Sequence, residues 1–201
     1  MAVTARDKLL NAALGVIREQ GFAATSVDDL CARAGVTKGA FFHHFKSKEA
    51  LAVAAADHWS ATTSALFAGA DYHRHADPAA RVLAYIDFRK DLIRGGIANF
   101  TCFVGTMVQE AYSASDDIRE ACRRSIEGHA ETLEADIAAA LENRSAAGQF
   151  GAKSLALYTQ AALQGAFILA KAANDPQVAI DCVDHLKRYF EFLFGRKETQ
   201  S

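Results

Sequence analysis

The chain has 201 residues, of which 51% are hydrophobic, and its formal net charge is −2. This length allows a sizeable buried core in one or two domains. The sequence contains no segment in which β-branched and polar residues alternate and which turn residues bound, as a β-strand would require. It therefore predicts an all-α fold. No apolar run reaches the ~20 residues of a membrane span, and the start reads as an amphipathic helix rather than a secretion signal. A cytoplasmic protein is expected.

The charge is unevenly distributed along the chain. Residues 1–50 contain 7 Lys and Arg against 5 Asp and Glu, whereas residues 51–201 contain 15 against 19. The positive excess therefore lies in the first fifty residues, where it favours an anionic partner such as nucleic acid.

The first predicted helix covers residues 4–20 and ends at Gly21. One of its faces carries a run of apolar residues at helical spacing, namely Leu9, Leu10, Ala13, Leu14 and Ile17. This spacing predicts a helix with one buried face.

Residues 25–51 predict two short helices joined by a tight turn, followed by the start of a longer helix. Ser26 is placed to cap the first short helix, and Asp29 can complete a capping box. Gly35 suits the left-handed conformation of the turn, and Thr37 is placed to cap the second short helix. Such a pair forms a helix-turn-helix, whose second helix enters the major groove of DNA.

The second short helix carries side chains that suit DNA contact. Lys38 supplies positive charge, and Gly39 leaves room for close approach to the groove. Phe41 and Phe45 are predicted to face inward, whereas Phe42 faces outward. The candidate DNA-binding residues are Ser26, Thr37, Lys38, Gly39, Ala40, Phe42, His43, His44 and Lys48.

The motif itself, residues 35–51, reads GVTKGAFFHHFKSKEAL and resembles the signature of the TetR family of one-component transcriptional repressors. The resemblance implies an N-terminal three-helix helix-turn-helix DNA-binding domain over residues 1–47. It also implies a six-helix ligand-binding and dimerisation domain over residues 48–201. Relatives often carry at the position of Phe42 a tyrosine whose hydroxyl reaches a phosphate. Phe42 lacks that hydroxyl, so it can make only an apolar contact with DNA.

Six further helices are predicted after the motif. They cover residues 48–68, 78–94, 100–112, 115–142, 152–173 and 177–194. Pro78 and Pro176 are placed at helix starts, which tolerate proline. In the helix over 48–68 the predicted inward residues are Leu51, Ala55, Trp59 and Leu66. Residues 71–77 and 143–151 are predicted to be loops, and the last six residues a polar tail.

The helix over residues 152–173 carries small and apolar residues at helical spacing. These are Tyr158, Ala161, Ala162, Gly165, Ala166 and Leu169. The resemblance implies that this helix and the one over 177–194 form a homodimer interface. The same residues would equally suit a contact within one subunit.

The resemblance also implies a small-molecule effector, bound by the second domain. The candidate pocket residues are Trp59, Tyr85, Arg89, Phe100, Cys102, Phe103, Met107, Cys122 and His129. Their aromatic content favours an apolar or aromatic effector. Ordinary core packing is the competing interpretation of each residue.

Cys102 has two interpretations. It stands near the start of a helix, where a thiolate is favoured, so it could sense an electrophile or oxidant. It could equally be a buried core thiol. The four cysteines lack CxxC spacing and are expected to be reduced. His73 and His75 are interpreted as a solvated loop, and no metal or cofactor is predicted.

The motif and the family resemblance together predict a homodimeric transcriptional regulator that binds a near-palindromic operator. It is expected to be a repressor, released when an effector moves the helix over 48–68, and activation is the open alternative. An all-α enzyme is the first alternative, but no nucleophile–base pair, metal cluster or phosphate loop can be assembled, so no enzyme is expected. The second alternative is a helical protein-interaction module without DNA binding, which only the absent tyrosine hydroxyl at Phe42 supports.

Overall fold

The computed structural model describes residues 3–142 and 151–195, and within these ranges it contains ten α-helices, a 3₁₀ turn and no strand. The helices are α1 (Ala5–Gln20), α2 (Val27–Ala34), α3 (Lys38–His44), α4 (Lys48–Ala68), α5 (Pro78–Asp91), α6 (Ile97–Phe100), α7 (Phe103–Ala111), α8 (Asp116–Glu142), α9 (Ala152–Ala173) and α10 (Pro176–Phe194). The predicted all-α fold is confirmed. The predicted polar tail and the loop before Gly151 lie outside the described residues.

The caps predicted for the two short helices are present. Ser26 Oγ accepts a hydrogen bond from the Asp29 amide at 3.1 Å, and the Asp29 carboxylate accepts one from the Ser26 amide at 2.8 Å. Gly35 ends α2 in the left-handed conformation, with φ 64° and ψ 40°. Thr37 Oγ1 accepts from the Ala40 amide at 3.1 Å and so starts α3. Local hydrogen bonds therefore fix the ends of both helices.

Two predicted helices are wrong in their extent. Residues 100–112 were expected to be a single helix, but α6 ends at Phe100 and α7 begins at Phe103. Cys102 stands between them in an extended conformation, and its Sγ accepts a hydrogen bond from the Gly105 amide at 3.4 Å. The thiol therefore acts as the N-cap of α7, which ends the preceding turn. The predicted helix over 78–94 is also shorter, because α5 ends at Asp91.

Two further predictions fail around an aromatic cluster. Leu66 was expected to face inward, but it is 47% exposed and its neighbour Phe67 is buried instead. Residues 71–77 were expected to be an irregular loop, but Asp71–Arg74 form a 3₁₀ turn that buries Tyr72. The Tyr72 ring lies 5.5 Å from Tyr85. Burial of the Phe67 and Tyr72 rings stabilises the end of α4 and the turn after it.

The chain divides into two compact units. The first comprises Met1–Ala65 and Thr101–Ile126, and the second comprises Leu66–Phe100 and Glu127–Ser201. Helices α4 and α8 contribute residues to both units. The predicted functional boundary at residues 47 and 48 stays a prediction.

In the first unit, α1, α2 and α3 pack on one another and α1 packs on α7. Buried apolar side chains of α1 to α4, α7 and α8 form a continuous core. Leu9, Leu30 and Phe41 are among the members that no solvent reaches. The burial of these side chains is the main favourable term that holds the three N-terminal helices together.

In the second unit, α10 packs against both α9 and α5. Two ion pairs join α5 to α10. Lys90 Nζ lies 2.7 Å from Asp184, and Lys187 Nζ lies 2.6 Å from Asp87. Across the described ranges, no helix combines the length and the hydropathy that crossing a membrane requires.

Replacing Phe41 with alanine should destabilise the first unit much more than replacing Phe42 does. Phe41→Ala should lower the free energy of unfolding by about 3–5 kcal/mol, because it leaves a large cavity in a closed core. Phe42→Ala, which removes a 54% exposed ring, should cost less than about 1 kcal/mol. Urea unfolding followed by circular dichroism measures both variants, and equal losses would contradict this packing.

Candidate DNA interface and effector site

Helix α3 is held in place by two phenylalanines on one of its faces. Phe41 is fully buried and Phe45 nearly so, and their ring centroids lie 6.0 Å apart. The Phe42 ring, in contrast, is exposed. The predicted inward and outward faces of α3 are therefore confirmed.

The exposed side of α3 gathers most of the predicted DNA-binding residues. Thr37, Lys38, Gly39, Phe42, His43 and His44 are exposed, and Ala40 is half-buried. The His43 and His44 rings lie 4.9 Å apart. Ser26 is also exposed, but its hydroxyl already serves the α2 cap. One helix thus presents donors, positive charge and an apolar ring on a single accessible surface.

Lys38 has a partner that the sequence analysis missed. Its ammonium lies 2.9 Å from the Asp28 carboxylate, which α2 supplies, and both side chains are exposed. The hydrogen bond to Asp28 raises the pKa of Lys38. A phosphate that approaches Lys38 must therefore compete with Asp28. The sequence gave no indication of this ion pair, because Asp28 and Lys38 lie on different helices.

Lys48, another predicted DNA contact, is anchored inside the first unit. Its Nζ donates a hydrogen bond to the Phe22 carbonyl at 3.0 Å and stands 4.3 Å above the centre of the Phe22 ring. An ammonium has three donors, so those that Phe22 does not use remain for other acceptors. Lys48 thereby joins the start of α4 to the turn after α1.

Glu110 of α7 contacts the turn between α1 and α2. Its carboxylate accepts a hydrogen bond from the Ala23 amide at 2.7 Å. Gly21 allows this approach, since a Cβ there would lie 2.3 Å from Oε1 of Glu110. Gly21 also has a φ of 90°, which side chains other than glycine rarely adopt. The turn before α2 is thus attached to α7 by a charge-assisted hydrogen bond.

The structure divides the nine predicted effector residues between its two units. Trp59, Cys102, Phe103, Met107 and Cys122 belong to the first unit, and Tyr85, Arg89, Phe100 and His129 belong to the second. Their role in binding an effector stays a prediction. Each group has its own surroundings.

In the first unit, Trp59 stands between an aromatic ring and a cation. Its ring lies 6.2 Å from that of Phe103, and the Arg18 guanidinium lies 5.3 Å from its centre. Burial lowers the pKa of Arg18. Burial, together with the Cys102 thiol, raises the pKa of Cys122 to about 12. Cys122 is therefore an inert core thiol, whereas Cys102 is half-buried at a helix N-terminus.

In the second unit, polar side chains meet around Tyr85. Its hydroxyl lies 2.9 Å from Nε2 of His129 and 3.4 Å from the amide nitrogen of Gln160. Arg89 Nη1 lies 3.3 Å from the same Nε2. Burial, and secondly Arg89, lowers the pKa of His129 to about 3. Because arginine only donates, Nε2 accepts, and the proton of the neutral imidazole lies on Nδ1.

Aromatic rings surround these polar groups. The Phe67 ring lies 4.5 Å from that of His129, and the Phe167 ring lies 5.9 Å from that of Phe100. Phe67, Gln160 and Phe167 escaped the sequence analysis. Gln160 left no signal in the sequence, because Thr159 beside it is also a buried polar residue of α9.

The predicted solvated pair His73 and His75 lies at the 3₁₀ turn. His73 Nε2 forms a hydrogen bond of 3.1 Å with the Phe67 carbonyl, and its ring stacks 4.1 Å from Tyr72. In the two ranges that the structure describes, no three His, Cys, Asp or Glu side chains are grouped so that they could hold a metal ion.

A short exposed helix, anchored on a three-helix core and preceded by a glycine turn, defines a helix-turn-helix DNA-binding protein. Residues 9–55 match the family model for bacterial regulatory proteins of the tetR family. Residues 78–185, more than half of the chain, match the model for the C-terminal domain of LmrA/YxaF-like transcriptional regulators. The chain belongs to the TetR family and is a DNA-binding transcriptional regulator, not an enzyme.

Individual relatives agree with this assignment. The regulator YerO of Bacillus subtilis (strain 168) is 35% identical over 54 residues, which are 27% of this chain and only 19% of that protein. LmrA of the same strain is 24% identical over 178 residues, covering 85% of this chain and 88% of LmrA. A crystal structure of the regulatory protein TetR from Rhodobacter sphaeroides has a TM-score of 0.81 at 23% identity, covering 92% of this chain and 98% of that one. That likeness shows a common fold.

Removing the Asp28 charge should strengthen DNA binding. In Asp28→Asn, the Lys38 ammonium loses its carboxylate partner and becomes available to a phosphate, so affinity should rise about two- to fivefold. Fluorescence anisotropy with a labelled operator measures the change. Asp116→Asn is the matched control, because it removes an equal charge from an exposed ion pair on α8. A loss of affinity in Asp28→Asn alone would contradict the competition.

The neutral His129 should make stability depend on pH. Its pKa is lowered from 6.5 to about 3 on folding, so the unfolded chain binds a proton first as the pH falls. The free energy of unfolding should therefore be highest above about pH 6.5 and decline below it, by about 1.4 kcal/mol per pH unit.

Urea unfolding at several pH values from about 7 down to 5 measures this slope. His129→Gln should remove the part of the slope that one proton causes. His75→Gln changes an exposed histidine of the same unit and should leave the slope as it is. Equal slopes in wild type and His129→Gln would refute the neutral state of His129.

Proposed function

We propose that the protein is a homodimeric transcriptional repressor of the cytoplasm that binds a near-palindromic operator and is released by a small-molecule effector. The observation that carries this proposal is the anchored helix α3, with Phe41 buried and Lys38, Phe42 and His43 exposed. In a dimer, two such helices would enter successive major grooves, about 34 Å apart. Exposed lysine and histidine donors suit phosphates and base edges.

The surface of α9 supports a second copy as the dimer partner. Leu157, Tyr158, Ala161, Gly165, Ile168 and Leu169 lie within one arc of this helix and form a stripe that only small or apolar residues occupy. Apart from the backbone of its own helix and its chain neighbours, no atom of the described residues lies within 4 Å of the place that a Cβ would take at Gly165, so a partner backbone can approach closely there. Ala166 does not belong to this stripe, because it is buried in its own subunit.

Helix α10 adds an aromatic group to the proposed interface. The Phe192 side chain is 88% exposed, and the Tyr189 ring lies 5.2 Å from that of Tyr158 on α9. Large exposed apolar groups of this kind mark association surfaces. The proposed dimer therefore uses α9 and α10, as the family resemblance implies.

Helix α4 is the proposed link between effector and DNA. It begins at Lys48, close after the recognition helix, and its last residues belong to the second unit. An effector that shifts this helix would change the spacing of the two recognition helices, which must fit the DNA together. The effector must bind the shifted state more tightly, since otherwise the equilibrium does not move.

Cys102 gives the proposal a second kind of effector, an electrophile. Its thiol caps α7 and is half-buried. Reactive cysteines are characteristically partly exposed and lie at helix N-termini. In a conjugate addition, its sulfur would bond to the β-carbon of the electrophile, and the α-carbon would take a proton from water.

N-ethylmaleimide treatment should then release DNA from wild type but not from Cys102→Ser.

A gel shift with DNA from upstream of the coding region tests the proposal. Wild type should give a discrete shift that weakens steeply with salt, because phosphate contacts release counterions. Lys38→Ala should weaken binding at least about tenfold and lower the slope of log K against log salt by about one for each recognition helix.

Lys153→Ala is the matched control for this experiment. It removes an exposed lysine from α9 in the second unit and should bind DNA as wild type does. A shift by Lys38→Ala equal to that of wild type would refute the role of α3. Absence of any shift, on this DNA and after selection from random sequences, would overturn the proposed repressor.

A further inference from the structure

Arg89 is a half-buried cation without a carboxylate partner in the described part of the chain. Among the described residues, its Nη1 forms hydrogen bonds only with the Tyr85 hydroxyl, at 3.4 Å, and with Nε2 of His129, at 3.3 Å. The pKa of His129 is lowered to about 3, so its imidazole carries no charge. Within the described residues, Nε and Nη2 of Arg89 donate to no protein acceptor. The planar fork of the guanidinium therefore keeps two donors for another molecule.

The other basic residues of α5 are paired. Arg81 Nε lies 2.9 Å from Asp136 of α8, and Lys90 Nζ lies 2.7 Å from Asp184 of α10. Asp136 and Asp184 are thus already engaged with other cations. A half-buried charge is costly to desolvate unless an opposite charge offsets it. Arg89 meets that condition only when an anion arrives from outside the described chain.

Aromatic rings flank the Arg89 guanidinium on two sides. Its Cζ lies 5.3 Å from the centre of the Phe67 ring and 5.9 Å from the centre of the Phe167 ring. Such contacts stabilise a guanidinium without neutralising it. An anion bound to Arg89 would consequently have aromatic surfaces beside it, and these favour a ligand with a flat apolar body.

From this geometry we infer that the effector is an aromatic carboxylate, whose carboxylate binds Nε and Nη2 of Arg89 and whose ring packs beside Phe67 and Phe167. The inference rests on the proposed effector-binding function of the second unit. Tyr85, His129 and Gln160 act as positioning residues, because their hydrogen bonds to Arg89 and to one another fix the fork. The carboxylate meets the fork in a bidentate pair, the strongest geometry for these two groups.

Matched acids and amides test the inference on the full-length protein. Isothermal titration calorimetry compares benzoate with benzamide and 2-naphthoate with 2-naphthamide, which differ in charge but hardly in shape. Each acid should bind at least about tenfold more tightly than its amide, as a charge-assisted bidentate pair implies. Equal affinity of acid and amide, or no binding of either acid at millimolar concentration, would overturn the inference.

Variants locate the anion at Arg89. Arg89→Met keeps the apolar stem and should weaken acid binding by about tenfold to a hundredfold, with little change for the amides. Arg89→Lys should recover only part of the affinity, because an ammonium cannot form the planar pair. Arg94→Met removes an exposed arginine of the same unit and should bind like wild type. Equal weakening of acid and amide in Arg89→Met would refute the anion contact.

A measurement on the wild type guards against misfolded variants. Imidazole ¹⁵N NMR should show the His129 Nε2 signal move on addition of 2-naphthoate, because the acid draws on the guanidinium that donates to this nitrogen. An unmoved His129 signal at saturation would contradict binding at Arg89. In the operator gel shift, acids that bind without releasing DNA would overturn the effector role while leaving the DNA-binding proposal intact. Acids that bind a protein unable to shift DNA would do the reverse.

Discussion

The burial of Phe41 is the contact on which the DNA-binding surface depends. Helix α3 spans only seven residues, and an isolated helix of this length is unstable in water. Its orientation therefore comes from Phe41 and Phe45, which pack into the core shared with α1 and α2. The exposed side chains Lys38, Phe42 and His43 take their positions from that packing. Recognition chemistry on one side of the helix is possible because the other side is fixed.

Much of the first unit could be predicted because its determinants are local. The caps at Ser26 and Thr37 and the left-handed turn at Gly35 depend on neighbours within a few residues. The structure confirms these elements and the inward direction of Phe41. The ion pair between Lys38 and Asp28 escaped prediction, because the packing of α2 on α3 brings these side chains together.

The failures have the same physical origin. Leu66 and Phe67 are adjacent apolar residues, and helical periodicity cannot decide which of the two turns inward; the surrounding rings decide it. The break before α7 depends on the Cys102 thiol as a cap. Cysteine is not among the residues that usually cap helices, so the sequence did not predict this role. Gln160 joins Tyr85 across 75 positions of the chain. The effector role of the nine candidate residues remains a prediction, since side-chain identity alone does not define a binding site.

The contact between Gly21 and Glu110 has an evolutionary consequence. The carboxylate occupies the space in which a side chain at position 21 would begin, and it also satisfies the Ala23 amide. Neither position can therefore change freely while the other stays the same. Among homologues that keep this geometry, a glycine at the first position should accompany a long acidic residue at the second. The turn before α2 thus places a requirement for a long acidic residue on α7, 89 residues further along the chain.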